Sequence, residues 1–283
     1  MNRIIQDETA FLRAPIIDTS AELEITDIKN ISAVAAKLKK LYGDITVVAD
    51  GARVAISALK SAKTIAVAAQ TDFDKKRYNA ADAMRVIARL TLDEGGCPWD
   101  KAQTHESIRI NMIEEAYEAV DAIDKRDVEN MREEFGDVFL QSILQSDIAR
   151  RAGEFDFDDV CDELCKKLIG RHTFIFGADS ATNPDEALTL WEKAKGVEKH
   201  YDTVKNQLER LPDNFPSLLL CQKTHKKLKK AGAPQPAAAD LQSAIAARDY
   251  TRIIAACAAL LSDDGKDAEV ELNTLVKRKI AEL

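Results

Sequence analysis

The chain has 283 residues, forty basic against forty-eight acidic, for a net charge of −8, with 46% apolar and 31% charged residues. That composition excludes a disordered chain, and the length is enough for a core of its own. The negative balance argues against a nucleic-acid partner, and the lack of any eighteen-residue apolar run argues against a membrane-spanning helix. Met1–Glu8 has no apolar signal core, and five cysteines without framework spacing fit a reducing cytoplasm, the expected location. Cys161 and Cys165, four apart on a predicted helix, read as packing residues rather than a metal pair.

Residues 1–78 read as a small α/β segment. Ala33 to Tyr42 are predicted helical, and Ile45-Thr46-Val47-Val48-Ala49 reads as a strand stopped by Asp50-Gly51. A second helix is predicted from Arg53 to Lys60, ahead of another apolar run, Thr64 to Ala68. No glycine-rich phosphate loop is present. From Asn79 onward the periodicity is helical. A helix from Asn79 to Leu92 ends in the loop Asp93-Glu94-Gly95-Gly96-Cys97-Pro98-Trp99-Asp100. The next helix runs from Glu106 to Asp124, with Ile108, Met112, Ala116, Ala119, Val120 and Ile123 at helical spacing. Asp127 caps a third and Asp156 precedes a fourth, which runs to Gly170. Asn183-Pro184 opens a helix through Trp191 to Lys199. Pro212 and Pro216 bracket a linker, a helix from Ser217 is closed by Gly232, and two further helices fill Ala237–Leu261 and Ala268–Leu283. The fold class is therefore mainly α, with a small N-terminal α/β segment.

The most informative residues are Glu114-Glu115-Ala116-Tyr117-Glu118 and Glu134-Phe135-Gly136-Asp137. Positions three or four apart share a helix face, so Glu115 points with Glu118 and Glu134 with Asp137. The short connection from Asp124 to Asp127 makes the two helices antiparallel neighbours whose acidic faces can oppose one another. Charge runs are ordinarily solvated faces. Three features argue otherwise here. Neither cluster has a lysine or arginine four residues after a glutamate. Gly136 sits inside a helix, where it costs roughly 1 kcal/mol relative to alanine, as if something approached its backbone. Carboxylates converging across a helix pair repel unless a cation neutralises them. Oxygen-only ligands favour Mg²⁺ or Mn²⁺, ions that commonly bridge carboxylates and substrate phosphates.

These motifs, together with Gly96-Cys97-Pro98-Trp99-Asp100-Lys101, Gln103-Thr104-His105, Lys167…Arg171-His172…Phe176-Gly177 and Trp191-Glu192-x-x-Lys195, resemble the MazG family of nucleoside triphosphate pyrophosphohydrolases over residues 80–200. The resemblance implies an all-α bundle that hydrolyses a nucleoside triphosphate to the monophosphate and pyrophosphate with Mg²⁺. By motif, Glu115, Glu118, Glu134 and Asp137 would be metal ligands, with Glu114 a further ligand or water-positioning acid. Lys167 and Arg171 would contact phosphates, and Trp191 and Lys195 the nucleotide. Trp99 is either a further substrate contact or part of a structural clasp. His105 and His172 follow the pattern in supporting or capping roles. A homodimer is expected. The competing expectation is a non-catalytic nucleotide-binding or regulatory protein on the same bundle, against which the intact carboxylates speak.

The flanks resemble the family more weakly. Lys37-Leu38-Lys39-Lys40-Leu41-Tyr42-Gly43-Asp44 and Asp72-Phe73 are similar to the end of the methylase half of tetrapyrrole methylase–MazG fusions, and no methyl transfer is expected. After the bundle at 79–203, residues 204–283 resemble a degenerate second copy. Ala244 to Asp249 line up with Ala122 to Asp127, which sets Pro236, Ala237 and Asp240 opposite Glu114, Glu115 and Glu118, and Ala256 and Ala259 opposite Glu134 and Asp137. The lysine-rich run Lys223–Lys230 reads as a solvated helix face.

Overall fold

The computed structural model describes residues 3–71, 73–199, 203–233 and 238–282. It divides into two units, 1–164 and 165–283.

The first unit opens with a five-stranded sheet. Strands β1 (Arg3–Asp7), β2 (Glu22–Thr26), β3 (Thr46–Ala49), β4 (Ala52–Ala55) and β5 (Ile65–Val67) lie in the order β1-β2-β5-β3-β4. Only β1 and β2 pair parallel, joined through α1 (Glu8–Arg13); the other neighbours are antiparallel. Alternation in Glu22-Leu23-Glu24-Ile25-Thr26 buries Leu23 and Ile25 on one face. There they meet Phe11 of α1, Val34 and Leu38 of α2 (Ile31–Tyr42), and Val47, Ile65 and Val67.

The helix expected from Arg53 to Lys60 is absent; the chain forms β4 and a 3₁₀ turn at Ile56–Ala58 instead. The cause is Asp50-Gly51. Both residues take positive φ, 46° and 85°, and make a two-residue hairpin that folds β4 back onto β3. The Asp50 carboxylate then accepts hydrogen bonds from the Lys63 and Thr64 amides, tying the hairpin to the start of β5. Asp72, part of the methylase-like signature, lies outside the described residues.

The rest of the first unit is helical: α3 (Ala80–Leu90), α4 (Pro98–Ala102), α5 (His105–Ile108), α6 (Asn111–Lys125), α7 (Val128–Ala152) and α8 (Phe157–Arg171), the last crossing into the second unit. Asn79 and Asp82 form a reciprocal capping box at the start of α3. Buried Asp82 also receives Lys75 Nζ at 2.6 Å and pairs with Arg85. Burial raises its pKa, but hydrogen bonds from Lys75, the Asn79 amide and Arg85 outweigh that and hold it below the usual carboxylate value. Ile87, Ile108, Ile143, Leu144 and Ile148 form a core of their own. The single helix expected over Glu106–Asp124 is interrupted at Arg109 and Ile110, where α5 ends and α6 begins.

The second unit contains α9 (Thr173–Phe176), α10 (Pro184–Lys199), α11 (Val204–Glu209), α12 (Ser217–Lys230), α13 (Ala238–Ala246), α14 (Tyr250–Asp263) and α15 (Ala268–Ala281). Gln222, buried on α12, donates to the Ala258 and Lys266 carbonyls and accepts from the Ala268 amide, joining α12, α14 and α15. The helix expected over Ala237–Leu261 is split at Arg248, which has φ 55°. The same turn joins α6 to α7. Arg126 has φ 56°, and Asp127 and Asp249 cap their helices by accepting from the Asn130 and Arg252 amides at 3.1 and 3.0 Å. Helix α7 has 25 residues and α14 has 14. Pro236 and Ala237, set against Glu114 and Glu115 in the repeat alignment, lie outside the described residues.

Candidate active site

The turn at Arg126 and Asp127 lays α6 against α7 in antiparallel fashion. Glu115 on α6 and Glu134 and Asp137 on α7 converge, each offering a carboxylate oxygen within 4.8 Å of the others, and all three are half-buried. Glu118 and Glu114 are exposed and stand outside this triad. Their charges still reach it. Glu115 is pushed above the usual glutamate pKa by desolvation and then by Asp137, Glu118 and Glu114. Glu134 is raised by desolvation, then by Glu118, Asp137, Glu133 and Glu115. The donors are all anionic oxygens, a set that fits a hard divalent cation of the Mg²⁺ class.

Gly136 gains its meaning differently from the expectation. No atom approaches within 4 Å of where its Cβ would stand. It instead lines an apolar cavity of about 300 Å³ between α3 and α7, with Val86, Ile87, Phe139 and Leu140.

The Gly96–Trp99 loop is a clasp on the end of α3. The Cys97 amide donates to the Leu90 carbonyl, and a Cβ on Gly96 would fall 2.6 Å from that oxygen and closer still to that of Leu92. Lys101 Nζ reaches the Asp93 carbonyl, while Arg151 of α7 donates to the Lys101 carbonyl. Trp99 projects from this clasp at 61% exposure. His105 hydrogen-bonds Gln145 of α7 through Nδ1, and His172 Nδ1 lies 2.6 Å from the Leu168 carbonyl. Both histidines are tied to neighbouring helical groups.

In the second unit two of the expected basic residues, Arg171 and Lys195, stand against Trp191. The Arg171 guanidinium carbon lies 5.1 Å from the Trp191 ring centroid and Lys195 Nζ lies 4.7 Å from it. Lys167, one turn before Arg171 on α8, is exposed. Arg171 is itself buried, and Glu198 of α10 receives it through Nε at 2.7 Å and Nη2 at 2.9 Å. The Arg171 side chain draws the Glu198 carboxyl down to about 2. Glu192 lies 3.9 Å from Lys195. Sequence reasoning missed Glu198; its place three residues after Lys195, and seven after Trp191, puts it on the same helix face and was the available signal.

The model of the MazG nucleotide pyrophosphohydrolase domain matches residues 103–176, a span that includes all five acids, Lys167 and Arg171. Residues 103–176 are thus similar to a MazG domain. The nucleoside triphosphate pyrophosphohydrolase of Escherichia coli K12 is 36% identical over 149 residues, 53% of this chain and 57% of that protein. The nucleoside triphosphate pyrophosphohydrolase/pyrophosphatase MazG of Thermotoga maritima is 44% identical over 118 residues, 42% of this chain and 44% of that one. The match thus spans about half the length of these relatives. A crystal structure of a MazG-related protein from Thermotoga maritima aligns with 41% of this chain and 97% of its own at 25% identity and a TM-score of 0.36. In sequence the matched segment, 103–176, lies between the strands β1–β5 with α3 and α4 on one side and α10–α15 on the other, none of which the domain model reaches.

Proposed function

We propose that this protein hydrolyses nucleoside triphosphates to the monophosphate and pyrophosphate, using Mg²⁺ or Mn²⁺. The carrying observation is the Glu115–Glu134–Asp137 triad inside the MazG segment. Glu115, Glu134 and Asp137 would hold the cation, with Glu118 and Glu114 at its margin supplying further negative charge or a water contact. The bound ion would neutralise phosphate charge and lower the pKa of a water. The chain's own groups do the rest. Arg171 and Lys167 would meet phosphate oxygens as charge develops on the leaving pyrophosphate, and Trp191 with Lys195 would position the nucleotide. Trp99, exposed on its clasp, is a further substrate contact in this reading.

A pyrophosphate-release assay with Mg²⁺ and a panel of nucleotides tests the reading. Turnover that is lost in Glu134→Gln supports it. Tight nucleotide binding without pyrophosphate release would favour the non-catalytic alternative instead.

The same reading takes the protein as a homodimer. Ile113, Tyr117 and Val120 of α6 are 47%, 62% and 48% exposed, an apolar stripe at helical spacing suited to a second copy. It also divides the chain at 1–78, 79–203 and 204–283. The separate cores of the sheet and of α3–α7 support the first boundary. The recurrence of the Arg-Asp turn at 126–127 and 248–249 supports a degenerate second copy in the last segment.

A further inference from the structure

Helices α10 and α12 enclose a groove of about 800 Å³, a size that suits a small ligand. Lys193 and Lys195 line it from α10, and Lys223, Lys226, Lys227 and Lys230 from α12. The four on α12 follow an i, i+3, i+4, i+7 spacing, which puts them on one helix face. Among the described lining residues Glu192 is the acid, and it is shared between Lys230 at 3.5 Å and Lys195 at 3.9 Å. Among the described residues, six lysines and one glutamate thus line one concavity in a chain whose overall charge is −8.

A lysine face that was merely solvated would spread its charges outward. Here Lys195 and Lys227 are half-buried. Lys227 is held below the usual lysine pKa by desolvation first, then by the charge of Lys195, opposed by Glu192 and reinforced by Lys223 and Lys230. Such crowding is relieved by an anion carrying several charges along a short length. A chain of phosphates has that form, and each lysine offers three rotatable donors to its oxygens. Among the described residues no aromatic side chain lines the groove for successive bases to stack on, which weighs against single-stranded nucleic acid.

We propose that the α10–α12 groove binds the phosphate chain of a small soluble oligophosphate, without a metal ion and without the carboxylate triad. The proposal does not depend on whether the triad hydrolyses nucleotides.

The test is calorimetric titration of the full chain with inorganic tripolyphosphate in EDTA. Saturable binding is expected, weakened at least tenfold in Lys223→Ala/Lys227→Ala and in Lys226→Ala/Lys230→Ala, and unchanged in Glu115→Gln. Circular dichroism confirms that each variant keeps its helices. Parallel titrations separate the sources of the phosphate chain. Equal affinity for tripolyphosphate and ATP points to a free oligophosphate, whereas tighter ATP points to a nucleotide; both support the groove. Binding that survives both lysine pairs, or disappears in Glu115→Gln, would overturn the proposal. So would a single-stranded oligonucleotide that binds to the groove lysines and that tripolyphosphate fails to displace.

Discussion

Arg171 at the end of α8 and Glu198 on α10 meet through two parallel hydrogen bonds, at 2.7 and 2.9 Å. The pairing fixes the plane of the guanidinium, so under the proposed function its orientation toward a phosphate would be set before binding. Glu198→Gln keeps the shape but removes the charge that draws Arg171. We expect kcat/KM for the nucleotide to fall about tenfold, chiefly through KM. An unchanged KM would show that Arg171 needs no such partner.

The same pair has a defined pH response. The folded-state pKa of Glu198 is lowered from the ordinary value of 4.5 to about 2. Its contribution to stability is therefore fully present above 4.5 and is lost as pH falls through about 2. A carbon-13 titration of the Glu198 carboxyl should show a midpoint near the lower value, and Arg171→Leu should raise it, with Lys199 still holding it below the ordinary value.

The triad should behave in the opposite sense. Glu115 and Glu134 have raised pKa values, so they take up protons at higher pH than an ordinary glutamate and their repulsion is relieved as pH falls through those values. Cation binding requires them ionised. Mn²⁺ affinity, followed by electron paramagnetic resonance, should fall as pH drops through these raised values, at higher pH than for an ordinary glutamate. A pH-independent affinity would place the ion elsewhere.

Asp137→Asn separates stability from activity. It removes a charge that repels Glu115 and Glu134, so the unfolding midpoint without divalent cation should rise. Pyrophosphate release should fall by about a hundredfold or more, with the far-ultraviolet spectrum unchanged. Glu118→Gln, outside the triad, is expected to cost less than Asp137→Asn.

Two glycines should respond with opposite signs. Gly136→Ala adds a methyl group facing cavity space on α7 and is expected to stabilise by about 1 kcal/mol. Gly96→Ala forces a methyl onto the Leu90 and Leu92 carbonyls, at a cost of about 1–3 kcal/mol. Chemical denaturation of the two variants measures both.

Where local rules act alone, the sequence was a sufficient guide. Asn79, Asp127 and Asn183 open helices where their capping side chains say they should, and the apolar spacing of α6 and α7 brought the acids to one face. The failures have identifiable causes. Arg53 to Lys60 carries helical spacing, but Asp50-Gly51 takes two positive φ angles and commits the chain to a hairpin. Arg248 is not a residue that advertises a left-handed conformation, so the break between α13 and α14 was hidden. Strands β1 and β2 were passed over although Leu23 and Ile25 alternate with polar residues, because such short alternation is a weak signal on its own. Within the site, residue type and spacing picked out the acids, but only the packing of α6 on α7 separates Glu115 from Glu118. Spacing puts Glu198 on the face of Trp191 and Lys195, but its pairing with Arg171, twenty-seven residues earlier, follows only from the contact of α8 with α10.

Two cations stand over the ring of Trp191, and the chain's other indole, Trp99, projects into solvent from the clasp. This asymmetry gives the protein a built-in optical probe. Ammonium and guanidinium groups against an indole shift its emission, so under the proposed function a nucleotide docking against Trp191 and Lys195 would change the light from Trp191 as it binds. A Trp99→Phe chain would carry that single reporter, and its fluorescence would time substrate arrival apart from the chemistry that follows.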